Sequence, residues 1–136
     1  MTLSLSLEQL SGLLGNLYQG PLEPVPWQSF LNELNQFIDA KYVTFILRPP
    51  SDRTQGLMVT TTNGSAEVVA SYNQYYFSLD PFVDLPSGQV VTLAEFVSQD
   101  DWLNSEFYKN FLEPVGVFHI LGTDIRTGNG ALCRIR

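Results

Sequence analysis

The chain has 136 residues, a formal net charge of −7, 44% hydrophobic and 12% aromatic residues, and only 15% charged ones. That length fits a single domain burying roughly two thirds of its unfolded surface, and the composition excludes a disordered chain. Its seven Lys and Arg residues, spread from Lys41 to Arg136, form no stripe, which excludes a phosphate-backbone grip by the chain itself. Cys133 is the single cysteine, so an internal disulfide and a thiolate zinc site are excluded. No apolar run approaches the ~20 residues of a membrane span, and the N-terminus lacks the basic start of a signal peptide. No membrane partner is expected, and a cytoplasmic location is the default.

Leu7, Leu10, Leu13, Leu14, Leu17 and Tyr18 make an amphipathic helical stripe that starts near Ser6 and ends at Gly20-Pro21. Pro21, Pro24 and Pro26 punctuate a linker, and Pro26 is expected at the first position of a second helix. In that helix Trp27, Phe30, Leu31, Leu34, Phe37 and Ile38 share one face. Lys41 to Leu47 reads as a buried strand and Leu57 to Thr62 as a second, with Pro49 to Gln55 as connection and Asn63-Gly64 as turn. Ser65 is an expected N-cap, with Glu67 in the first turn of a third helix that carries Val68, Val69, Tyr72, Tyr75, Tyr76 and Leu79 up to Asp80-Pro81.

Gln89 to Thr92 reads as a short strand, followed by a helical turn over Leu93 to Val97. Ser98 with Asp101 resembles a capping box for a short helix holding Trp102 and Leu103. Asn104 or Ser105 opens another helix, with Phe107, Tyr108, Phe111 and Leu112, ending at Pro114. Val115 to Arg126 and Ala131 to Arg136 are expected strands flanking the turn Thr127-Gly128-Asn129-Gly130. Hairpins joined through helices imply an α+β fold, an antiparallel sheet with helices on its faces. The chain stops inside its last strand, so a fragment of a longer protein is expected.

The stretch from Tyr72 to Trp102 suits a concave apolar site with one anionic acceptor, or equally an aromatic core. Pro81 biases Asp80 away from helix; its carboxylate either caps locally or accepts an N–H from a ligand. Trp102 is core, or donates its indole N–H to a ligand carbonyl. His119 is the only histidine, and no second His or nearby Cys supplies a triad or metal partner, so it is structural or ligand-contacting. Asp100 and Asp101 face apart and read as helix N-terminal charges rather than an acid/base pair. Gly12, Gly15 and Gly20 are too widely spaced for a phosphate cradle, and no nucleotide motif or cofactor is expected.

Several of these stretches resemble the N-terminal sensor half of LuxR-family helix-turn-helix transcriptional regulators. They are Pro26-Trp27-Gln28-Ser29-Phe30-Leu31, Tyr72 through Tyr76 with Asp80-Pro81, Pro86-Ser87-Gly88 before Val90-Val91, and Ser105 through Val117 followed by His119. The resemblance spans about residues 8 to 136. It implies a PAS/GAF-like antiparallel sheet of about five strands flanked by helices, with its C-terminal part truncated. It also implies that Asp80 accepts a ligand amide while Tyr and Trp side chains donate to ligand carbonyls, which makes Tyr72, Tyr76, Asp80, Trp102 and His119 the expected ligand-binding residues. No Trp stands between Glu67 and Asp80. The implied partners are a small apolar or amphipathic ligand, a second copy of the chain through the first or second helix, and DNA only through a missing helix-turn-helix domain. The competing classes are a ligand-free dimerisation module and a small enzyme using Asp80 or His119.

Overall fold

The computed structural model describes residues 4–49, 56–82 and 85–136. The chain forms two compact units, one running to Thr44 and including Val59–Gly64, the other made of Phe45–Met58 and Ser65–Arg136. Five strands lie in the sheet order β2-β1-β5-β4-β3, with β1 Thr44–Arg48, β2 Leu57–Thr60, β3 Val90–Thr92, β4 Leu121–Arg126 and β5 Leu132–Ile135. The registers of β1 with β5, β5 with β4, and β4 with β3 are all antiparallel, and the α+β expectation holds.

In the first unit, α1 (Leu7–Gln19) starts where Ser6 and Gln9 exchange reciprocal side-chain bonds to each other's backbone N–H groups. Helix α2 (Gln28–Ile38) begins later than its proline suggests. Pro26 lies before the cap rather than at the first helical position, because Trp27 occupies the cap with a left-handed backbone, φ 59°. A bulky residue is strained there and needs compensation. The Trp27 N–H donates to the Gly20 carbonyl at 3.1 Å, and its indole Nε1 donates to the Leu17 carbonyl, also at 3.1 Å. Gly20 permits this: a Cβ there would stand 2.1 Å from Trp27 Cδ1. Glu33 of α2 accepts a hydrogen bond from Asn16 of α1, and Asn32 accepts one from the Thr62 N–H at 3.1 Å.

In the second unit, α3 (Ala66–Gln74) is capped by Ser65, whose hydroxyl accepts from Glu67 and Val68 N–H groups. The helix expected up to Leu79 breaks at Tyr75 (φ −140°, ψ −56°) and resumes as a tighter 3₁₀ turn, Tyr76–Leu79. Leu79 therefore leaves the face of Tyr72 and is exposed. A straight α-helix would carry residue 80 about 12 Å along the axis from residue 72, beyond the reach of a hydroxyl–carboxylate bond. The break brings the two together.

Helix α4 (Gln99–Asn104) is capped by Ser98, which accepts the Asp101 N–H at 3.2 Å, and Asp100 and Asp101 sit in its first turn as expected. The following segment Phe107–Leu112 winds as a wide π-type turn rather than an α-helix, and puts Phe107, Phe111 and Leu112 on the buried side. The strand expected from Val115 starts only at Leu121. Gly116 is left-handed (φ 72°), and the extended carbonyls after it are used elsewhere: Phe118 accepts the Trp102 indole and Ile120 accepts the Leu93 N–H. The expected strands Lys41–Leu47 and Leu57–Thr62 shorten to β1 and β2; their connection from Pro50 to Gln55 lies outside the described residues.

Two glycines separate conformational from packing cost. A Cβ added at Gly15 would have nothing within 4 Å, so Gly15→Ala is expected to raise stability by about 1 kcal/mol through helix propensity. Gly20→Ala meets the indole and is expected to cost about 1–3 kcal/mol. Urea midpoints of the two variants, moving in opposite directions from the parent, check this.

Candidate functional site

The core of the second unit gathers Ile46, Tyr72, Phe82, Leu85, Val91, Leu93, Trp102, Phe107, Phe111 and Leu112. Its rings form a connected wall. Tyr76 stacks on Phe111 at 4.9 Å, Tyr72 tilts against the same ring at 5.8 Å, and Phe107 links Phe111 (5.2 Å) to Trp102 (6.0 Å). Such pairs add about 0.5–1.5 kcal/mol each beyond their buried area.

Asp80 closes one end of this wall and is only 6% exposed. Its Oδ1 accepts the Phe82 N–H at 2.9 Å, a local turn across Pro81, and its Oδ2 accepts the Tyr72 hydroxyl at 2.7 Å. Arg134 Nη1 stands 3.9 Å from Oδ2. Burial, then the Asp80 charge and its hydrogen bond, push the Tyr72 phenol well above the usual tyrosine range, against a smaller opposing pull from Arg134 and Arg48. Tyr72 is thus held neutral as a donor.

Sheet register brings in residues that the sequence reading does not single out. Ile46 faces Arg134, Arg134 faces Asp124, and Val91 faces Gly122, so these five point to one side, together with Arg48 and Arg136 at alternate positions. Asp124 is fully buried. Arg134 Nε lies 3.8 Å from its Oδ2 and Arg136 Nη2 lies 2.8 Å from its Oδ1. The ion pairs close by distance but not by direction, for both Asp124 oxygens, Arg134 Nε, and Arg136 Nε and Nη2 lack an aligned hydrogen-bond partner. Arg136 also covers the Phe82 ring at 4.8 Å and lies where a Gly122 side chain would be, 3.1 Å from a Cβ built there. Residues equidistant from Asn129 face each other across the β4–β5 hairpin. That spacing is the available sequence signal for Asp124 opposite Arg134.

The expected site residues are therefore only partly assembled. Tyr72 and Asp80 are bonded directly, and Tyr76 and Trp102 join them through the aromatic wall. Trp102 Nε1 donates to the Phe118 carbonyl at 3.2 Å. His119 is exposed, edge-on to Phe118 at 4.6 Å, and among the described residues no hydrogen bond or ion pair connects it to Asp80. Tyr75 is also exposed, and its hydroxyl donates to Glu106 at 2.8 Å. Burial raises the Cys133 thiol above its usual range. Among the described residues no cluster of three His, Cys, Asp or Glu is placed to hold a metal, and no helix is long and apolar enough to cross a membrane.

No protein-family model and no curated protein matches the chain by sequence. Solved structures do. The VqsR LBD domain from Pseudomonas aeruginosa superposes with a TM-score of 0.69 at 20% identity, over 94% of this chain and 76% of that one. The N-acylhomoserine lactone dependent LuxR family transcription factor CepR2 from Burkholderia cenocepacia matches at TM-score 0.58 and 14% identity, over 96% and 77%. This chain has the fold of LuxR-type ligand-binding domains. Escherichia coli SdiA matches at TM-score 0.58 and 15% identity over 93% of this chain, which spans 53% of the SdiA chain. The expected PAS/GAF-like arrangement of five antiparallel strands with helices is the one found.

The Tyr72–Asp80 bond gives a stability prediction. A buried hydrogen bond to a charged group contributes about 1.5–3 kcal/mol, so Tyr72→Phe is expected to cost that much in urea unfolding. Tyr75→Phe removes a solvent-screened partner of Glu106 and is expected to leave the midpoint unchanged.

Proposed function

We propose that this chain is the ligand-sensing part of a LuxR-type transcriptional regulator, is not an enzyme, and takes a small apolar or amphipathic molecule. In this reading it controls a helix-turn-helix DNA-binding domain outside the sequence, in the cytoplasm. The observation that carries it is Asp80, a buried carboxylate at the end of an aromatic wall. Two of its roughly four acceptor positions are used, by Tyr72 and Phe82, which leaves capacity for a ligand N–H or O–H. Tyr76 and Trp102 supply faces for an acyl or aromatic body. Support also comes from neighbours of the same fold, one described as N-acylhomoserine lactone dependent and one, SdiA, in complex with octanoyl-rac-glycerol. The enzyme reading is disfavoured because a nucleophile or base needs a partner within hydrogen-bond reach, and Asp80 and His119 share no bond.

A ligand-free dimerisation module is the second reading. The internal pairing of Trp102 with Phe118, and of Tyr72 with Asp80, favours it, since the polar groups are then already partnered.

Thermal unfolding of the full chain with octanoyl-glycerol and with N-octanoyl homoserine lactone separates the two. At a hundredfold excess over Kd, binding contributes about 2.7 kcal/mol, and a Tm rise of several degrees is expected that Asp80→Asn diminishes. No rise with either compound would favour the ligand-free module.

Homodimer formation is part of the proposal. Leu7, Leu10, Leu14, Leu17 and Tyr18 of α1 lie along one exposed apolar stripe, Leu7 and Tyr18 being more than four-fifths exposed (83% and 81%). A stable interface buries about 800 Å² per partner. Light scattering is expected to give twice the monomer mass at tens of micromolar, and Leu14→Glu is expected to return it to monomer. Monomeric mass for the parent at every concentration would exclude this interface.

A further inference from the structure

Two turns of this chain end in asparagine followed by glycine, Thr61-Thr62-Asn63-Gly64 and Thr127-Gly128-Asn129-Gly130. Each sets a carboxamide beside the backbone nitrogen of a residue with no Cβ to shield it. The turns are built alike. Gly64 N–H donates to the Thr61 carbonyl at 2.8 Å and Gly130 N–H to the Thr127 carbonyl at 3.1 Å. In both, the threonine hydroxyl donates to the asparagine Oδ1. The far end of the amide is where they differ. Asn63 Nδ2 donates at 2.7 Å to the carbonyl of Lys41, 22 positions away, so it is anchored outside its own turn. Asn129 Nδ2 has no hydrogen-bond partner among the described residues, and its Oδ1 takes a second donor, the Ala131 N–H at 3.3 Å. The first turn is also packed, since a Cβ at Gly64 would stand 2.3 Å from Thr60 Cγ2. The second is open, since one at Gly128 would meet nothing within 4 Å.

We propose that Asn129, in preference to Asn63, is a self-modification site at which the folded chain loses a side-chain amide through a cyclic imide. The Gly130 N–H gives its proton to hydroxide, and the nitrogen attacks Cγ of Asn129. The N–Cγ bond forms, the Cγ–Nδ2 bond breaks, and Nδ2 leaves as ammonia after taking a proton from water. A further water opens the imide at either carbonyl, leaving an aspartyl or a β-linked isoaspartyl residue. The leaving nitrogen must be released by its partner, which the Lys41 carbonyl opposes at Asn63 and no described residue opposes at Asn129. The two donors on Asn129 Oδ1 face the oxygen that gains charge in the tetrahedral intermediate. A rate difference of about tenfold, about 1.4 kcal/mol in barrier, is the size of the one extra hydrogen bond at Asn63. The site matters because this turn sets the register of β4 with β5, Asp124 opposite Arg134 and Ile125 opposite Cys133. An isoaspartyl link adds a backbone atom to a turn that Thr127 N–H closes on the Ala131 carbonyl at 3.0 Å. The inference stands apart from what the chain senses.

The test incubates the full chain at mildly alkaline pH, folded and in concentrated urea, and follows both asparagines by peptide mass spectrometry with enzymatic methylation of isoaspartate. Trypsin cuts after Arg126 and Arg134, which puts Asn129 on a peptide apart from Asn63. In the folded chain Asn129 is expected to convert about ten times faster than Asn63, in proportion to hydroxide. In urea the two rates are expected to converge, because the Lys41 anchor is lost. The aged, isoaspartyl fraction is expected to unfold at lower urea than Asn129→Asp, which carries the same charge without the added backbone atom. Equal rates in the folded chain, or faster conversion at Asn63, would overturn the proposal. So would an unconverted Asn129 over the time in which the urea sample reacts, since the fold then protects both turns. A tenfold difference that survives in urea would assign the preference to local sequence and overturn the structural account. Equal urea midpoints for the aged fraction and Asn129→Asp would overturn the effect on register.

Discussion

One buried carboxylate organises the second unit. Asp80 holds the Tyr72 hydroxyl, the Phe82 backbone and, more loosely, Arg134, so it ties the helix α3, the chain after Pro81 and strand β5 to a single charged group. The α3 break at Tyr75 is what lets this contact form. The Phe82 ring is fixed on one side by the Asp80 turn and covered on the other by the Arg136 guanidinium, which itself reaches Asp124. Charge, hydrogen bond and aromatic face thus run in one chain of contacts across β4 and β5.

That arrangement inverts the usual side preference of a half-buried sheet. The side facing the core carries Asp124, Arg134 and Arg136 with Ile46 and Val91, whereas the opposite positions Val90, Leu121 and Ile125 are exposed. Alternation ordinarily places apolar residues inward. Burying these charges instead forgoes apolar packing, and it is tolerable only because the carboxylate meets guanidinium groups. It also fixes strand register, since a slip of one residue would carry the charges out of the core.

How far the sequence discloses this differs from element to element. Helices α1 and α2 are legible because leucine and aromatic spacing and the Ser6 cap all point the same way. The caps at Ser65 and Ser98 and the β4–β5 hairpin are legible for the same local reason. The break at Tyr75 is not, because Ser71, Tyr72 and Asn73 disfavour helix only mildly and no Gly or Pro marks a stop there; the bond between residues eight apart that accompanies it is invisible at short range. Trp27 at a left-handed cap is hidden similarly, since Gly20 provides the space from outside α2. Of the candidate site, Asp80 with Tyr72 is visible in the Asp-Pro and its preceding aromatics. The arginines are not, because alternating charge on a strand reads as a solvated face until the register is known.

The placement of the two tryptophans has an optical consequence. Trp27 belongs to the first compact unit, wedged on Gly20, and Trp102 to the second, buried against Phe107 and Tyr108. Each unit thus contains one strong intrinsic fluorophore in a tightly packed setting. A phenylalanine at either position leaves a single-wavelength reporter of the other unit alone, so the cooperativity between the two halves becomes a directly readable quantity, without any label being attached.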